Sequence, residues 1–162
     1  MLLDHTEQYN AVWDKVYSEL GFRPSMHEFT PFDIKVPHAV YGIENMTETQ
    51  TDIMENIAQE IFARISNGRI YALDWQHSAL LYDPRNPDEQ RDFRVEDERY
   101  IGGGYNVCFP SFYPDGDYYF FIAEDFSFGW LGHPWRQEVW IFGEKLLHEI
   151  EAVYKSFGWT RK

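Results

Sequence analysis

The sequence predicts an α+β fold: two N-terminal helices, a mostly antiparallel sheet of about four to six strands, and one C-terminal helix packed on it. Three observations predict it. Apolar residues recur at helical spacing in two early segments and again near the C-terminal end. Between them the apolar period shortens to that of strands, in runs rich in Val, Ile, Tyr, Phe and Trp. Turn chemistry such as Pro114-Asp115-Gly116 punctuates those runs. A chain of 162 residues, 44% hydrophobic and 19% aromatic, can bury a real core as a single domain, 1–162. No internal repeat or domain boundary is visible.

Thr6 is a suitable N-cap, and Tyr9, Val12, Trp13, Val16, Tyr17 and Leu20 follow as one stripe that Gly21 ends. This predicts a helix over 6–20. The next stretch, "FRPSMHEFTPFDIKVPHAVYGI", is proline-rich and weakly periodic. It reads as an extended connector with an edge strand near 32–36. Thr47 and Gln50 have capping-box spacing, and Ile53, Ile57, Ile61 and Ile65 recur every four residues before Asn67-Gly68. That is the second helix.

"RIYALDW" and "SALLYD" read as two strands, or one strand with a bulge. "PRNPDEQRDFRVEDERYIGGG" is charged and lacks a stripe, so it reads as a long exposed loop. "YNVCFPSFY" and "YYFFIAEDFSFGWL" read as a hairpin closed by "PDGD". Along it Tyr118 and Phe120 face one side, Tyr119 and Phe121 the other. "QEVWIF" is a further strand, and after Gly143 a last helix carries Leu146, Leu147, Ile150, Val153, Tyr154 and Phe157.

The formal net charge is −13. Such a field repels nucleic acid and anionic membrane and attracts basic partners. Residues 1–66 hold 11 Asp and Glu against 4 Lys and Arg, so the excess is concentrated there and not in a tail. No window approaches the roughly 18 apolar residues of a membrane span, and "MLLDHTEQYN" has no signal-peptide pattern. A single cysteine, Cys108, excludes an internal disulfide and a cysteine zinc cage. It is expected to be a small buried hydrophobe in a cytoplasmic protein.

Two short motifs pair a histidine with a tryptophan, "ALDWQH" at 72–77 and "GHPW" at 132–135. With nearby acids they offer the residue types of a metal or acid–base site: Asp74, His77, Asp115, Asp117 and His133. Against this, a spacing of three brings Asp74 and His77 together on a helix, and the segment reads as strand and turn. The plainer expectation is a structural one. His77 and His133 brace semi-buried corners, Trp75 and Trp135 belong to the core, and Asp115 makes a turn hydrogen bond. Nucleophile-elbow, phosphate-loop, zincin and dinucleotide motifs are absent. "IGGGYN" lacks the following helix that phosphate binding needs.

"RIYALDWQH" followed by "YPDGDYYFFIAEDFSFGWLGHPWRQEVWIFGEKLL" resembles the bacterial domain of unknown function 2716 family. The likeness covers roughly residues 69–147 well, and the N-terminal helix with "FRP" more loosely. It implies no established activity, cofactor or catalytic residue.

Two function classes follow. The first is a non-enzymatic acidic binding protein without a cofactor. It would be an immunity protein that neutralises a bacterial toxin, such as a nuclease, by electrostatically steered contact. Its expected docking surface is Glu48, Asp52, Glu55 and Glu60 on the second helix, with Asp88, Glu89, Asp92, Glu96, Asp97 and Glu98 of the charged loop. Nucleic acid and membrane are not expected partners. The alternative is a metal-assisted hydrolase on the five residues of the DWQH and GHPW region. A general interaction module or homodimer using Trp140 and Trp159 as exposed aromatics is a third reading.

Overall fold

The computed structural model describes residues 1–28 and 30–162. Helix α1 spans Glu7–Lys15 and continues through one wider π-turn, Val16–Leu20. Thr6 caps it by accepting from the Tyr9 amide, and Gly21 ends it at φ +71°. Helix α2 spans Glu48–Ile65 behind the Thr47/Gln50 capping box, and α3 spans Glu144–Val153. Between and around them run β1 His38–Gly42, β2 Ile70–Asp74, β3 Ala79–Tyr82, β4 Phe93–Glu96 and β5 Gly104–Val107. Strands β6 Tyr119–Ala123, β7 Gly129–His133, β8 Glu138–Phe142 and β9 Thr160–Arg161 complete the set.

Seven strands form one sheet in the order β3-β2-β6-β7-β8-β1-β9, and β4-β5 form a separate two-stranded ribbon. Every pairing is antiparallel. The class is the predicted α+β, with a larger sheet than the expected four to six strands. The missed strands are short and placed by tertiary pairing. β1 lies in the connector; it is fixed by pairing Ala39 with Ile141 and Tyr41 with Val139 of β8. The edge strand expected near 32–36 does not form. Phe32 and Ile34 bury their side chains as irregular chain over the sheet instead.

The sheet is covered on both sides. Met54, Ala58, Ile61 and Phe62 of α2 and Leu146 and Ile150 of α3 pack with Phe121 and Trp130 on one face. Val12, Trp13 and Leu20 of the first helix, with Phe22, Phe32 and Ile34, pack with Tyr118, Phe120, Leu131 and Trp140 on the other. Double coverage explains why β7 and β8 are buried at every residue instead of alternating with solvent. The side assignment of Tyr118 and Phe120 against Phe121 agrees with the sequence reading. Sheet edges are also covered: the Leu3 amide donates to Ala79 O at 2.8 Å beside β3, and β9 pairs with β1.

Other expectations are corrected. "PDGD" is not a hairpin turn, because β5 pairs with β4, and β6 pairs with β2 and β7. The charged loop contains β4 and the 3₁₀ turn Pro87–Glu89. Cys108 is exposed, since it follows β5 of a ribbon with only one covered side. Trp135 is 43% exposed in the β7–β8 turn, whereas Trp140 and Trp159 are buried. No helix among the described residues is long and apolar enough to cross a membrane.

Candidate functional site

The DWQH segment leaves β2 in a tight β-turn. The His77 amide donates to Asp74 O at 3.0 Å, the Asp74 amide donates to Ser78 O at 2.9 Å, and Gln76 sits at φ +67°. A four-residue turn brings its first and last residues side by side. Asp74 and His77 therefore meet without a helix. Asp117, just before β6, comes to the same point because β6 lies against β2 with Tyr119 opposite Asp74.

The result is a compact trio. His77 Nδ1 lies 2.9 Å from Asp74 Oδ1 and 2.8 Å from Asp117 Oδ2. The three donor atoms fall within 4.8 Å of one another. Asp74 is only 9% exposed, whereas the His77 side chain is 66% exposed. Burial, followed by the neighbouring Asp117 carboxyl, raises Asp74 to about 7. The hydrogen bond to Asp74 raises His77. Such an arrangement can fix an imidazole orientation, share a proton among three groups, or hold a cation.

His77 also lines an open cleft of about 810 Å³ between the start of α1, the β2–β3 turn and the β4–β5 ribbon. Asp4, His5, Glu7, Tyr100 and Tyr105 form much of the rest of its wall. Sequence reasoning missed this cleft. Its residues are far apart in the chain, and no spacing links them.

Asp115 and His133 do not join the trio. Asp115 accepts from the Tyr119 hydroxyl at 2.6 Å. His133 is fully buried, stacked on Phe32 at 5.4 Å and flanked by Tyr118 and Trp140. Its Nδ1 accepts from the Arg136 amide at 3.3 Å. Nε2 is 3.4 Å from Glu28 Oε1 but makes no hydrogen bond among the described residues. Burial, reinforced by the Arg136 charge, pushes His133 down to about 3, so it is neutral.

The acidic surface divides into two kinds of carboxylate. Glu55 accepts from Ser111 Oγ, the Phe112 amide and the Tyr113 amide at 2.5, 3.2 and 2.9 Å. Asp92 accepts from the Phe109 amide at 2.8 Å, and Glu89 from the Asp83 amide at 2.8 Å. Glu96 pairs with Arg94 and Asp97 with Arg99. These five serve the fold locally, and Glu55 and Asp92 pin residues 109–113 between α2 and the ribbon. Glu48, Asp52, Glu60, Asp88 and Glu98 are exposed and form no ion pair among the described residues. Arg64, the lone cation of α2, pairs with Glu149 of α3 instead of with its own helix's acids.

Comparison with known proteins follows the motifs. The family described as Protein of unknown function (DUF2716) matches residues 2–147. The chain belongs to this family. It is also 30% identical to the uncharacterized protein YxiI of Bacillus subtilis (strain 168), over 92% of this chain and 90% of that one. No solved structure matches the chain. Family membership covers both the trio and the GHPW turn, and it brings no activity with it.

Proposed function

We propose that this DUF2716 protein is a non-enzymatic acidic binding protein, an immunity protein that occupies a basic surface on a bacterial toxin. The observation that carries this reading is the unneutralised outer face of α2. Glu48, Asp52 and Glu60 stand exposed with no ion pair among the described residues, and the one arginine of the helix is turned to α3. Asp88, before β4, and Glu98, between β4 and β5, are further exposed acids.

A nuclease toxin holds phosphate with Lys and Arg, and an acidic partner offers those groups carboxylates in its place. Association of this kind is fast and weakens as salt rises, because long-range attraction is screened over about 10 Å at 0.1 M. Rim charges of this sort act mainly on the association rate. The face needs an apolar anchor for lasting affinity, and Ile53, 39% exposed on α2, supplies one beside Asp52.

The test is co-expression with the toxin-like product of a neighbouring gene. Growth should be restored by the wild-type chain and lost with the triple charge reversal E48K/D52K/E60K. The complex should associate at least about 10-fold more slowly in 0.5 M than in 0.05 M NaCl. Protection that survives the triple reversal, or binding indifferent to salt, overturns the reading.

A further inference from the structure

We infer that Asp74, His77 and Asp117 form a binding site for one divalent first-row transition-metal ion at the wall of the α1–ribbon cleft. The inference is independent of the acidic docking face, which uses none of these three residues.

Three observations point to it. First, the donors come from two chain segments and are of mixed type, one imidazole and two carboxylates, converging within 4.8 Å. Second, the His77 Nδ1 to carboxylate separations are 2.9 and 2.8 Å. Ligand bonds of about 2.0–2.2 Å place neighbouring ligands of an octahedral ion about 2.8–3.1 Å apart. Two of the three edges of the trio already have the length of an octahedral edge, and the third is no longer than 4.8 Å. Third, among the described residues the two acids have no cationic partner apart from the one imidazole. An imidazole nitrogen carries one hydrogen, yet two carboxylates face it at equal distance. Among the described residues no Lys or Arg lies within ion-pair distance of either acid. A doubly charged ion between the three groups satisfies both carboxylates at once.

The donor set selects the ion. A nitrogen ligand favours the later first-row metals, whereas carboxylates alone suit magnesium and calcium. The expected order is therefore Zn²⁺ ahead of Mn²⁺, and Mn²⁺ ahead of Mg²⁺. The exposed His77 ring on the cleft wall gives the ion an entry path from solvent.

The test uses the whole purified chain in 0.15 M NaCl, titrated with MnCl₂ and separately with ZnCl₂. Loss of the free Mn²⁺ electron-spin signal should report one ion per chain. At a metal concentration about 100-fold above Kd the melting temperature should rise by about 5–10 °C. D117N and H77A should each weaken binding by about 100-fold or more, while D115N, whose carboxylate serves Tyr119, should not change it. D117N is isosteric and H77A lies on the surface, so both are expected to keep the wild-type circular dichroism spectrum. Uptake that persists in D117N and H77A is diffuse binding by an acidic surface and overturns the site. So does a wild-type chain that binds neither metal below 1 mM.

Discussion

The two histidine–tryptophan turns carry nearly the same residues to opposite ends. In the DWQH turn the histidine is out and the tryptophan half in. His77 is mostly exposed between two carboxylates, and Trp75 tucks its Nε1–H against the Tyr17 hydroxyl at 3.2 Å. In the GHPW turn the histidine is in and the tryptophan out. His133 is fully buried among Phe32, Tyr118 and Trp140, and Trp135 stands in solvent beside His27. Register makes the difference. His133 is the last residue of β7, opposite Glu138, and points into the core that Phe22, Phe32 and Ile34 close. His77 lies beyond the last paired residue of β2, in the turn itself. Residue type therefore says little about which histidine is chemically available. Position relative to the last ladder pair says more.

The largest test of this contrast is at the tryptophans. Trp140, in the wall around His133, is fully buried, and W140A should cost about 3–5 kcal/mol in denaturant unfolding. W135A should cost under about 1 kcal/mol, as an exposed side chain does. Equal losses would mean that the GHPW turn is packed differently from the description above.

Next in size is the acid limb of stability. Folded His133 resists protonation down to about 3, while the unfolded chain takes up the proton near the ordinary value of about 6.5. A base held neutral in the fold stabilises fully above the unfolded value. Its contribution is lost progressively as pH falls from about 6.5 towards 3, by at most about 5 kcal/mol. Arg136 faces this ring and adds to the effect, and Glu28 lies close to its Nε2. H133F keeps a flat ring in the aromatic stack and cannot titrate. Its unfolding free energy should fall less steeply than that of the wild type over this pH window, and parallel curves would show that His133 is not the group responsible.

A smaller effect separates the acids. E55A removes the acceptor of three hydrogen bonds and should cost about 1–3 kcal/mol. D52A, on the same helix, should lie within about 0.5 kcal/mol of wild type. Smallest of all, H77A should change stability by under about 1 kcal/mol in metal-free buffer, since the His77 side chain is itself mostly exposed. A loss as large as that of W140A would make His77 a structural brace, as the sequence first suggested.

By itself the sequence determined the class, the three helices and most central strands, because those signals are local. Caps such as Thr47/Gln50, the Ile53–Ile65 stripe and the aromatic alternation of β6 act within one turn or one strand. It also determined that acid is in excess and that the motifs belong to one family. Tertiary structure alone decided the rest. Strand β1 and the β4–β5 ribbon exist because partners distant in sequence complete their hydrogen bonds. Which acids are free depended on where Ser111, Phe112 and Phe109 came to lie. The trio of Asp74, His77 and Asp117 required a β-turn with a left-handed residue and the β2–β6 register, and neither is written in the spacing of the three residues. Long-range pairing sets these outcomes, and local pattern carries no information about which strands will meet.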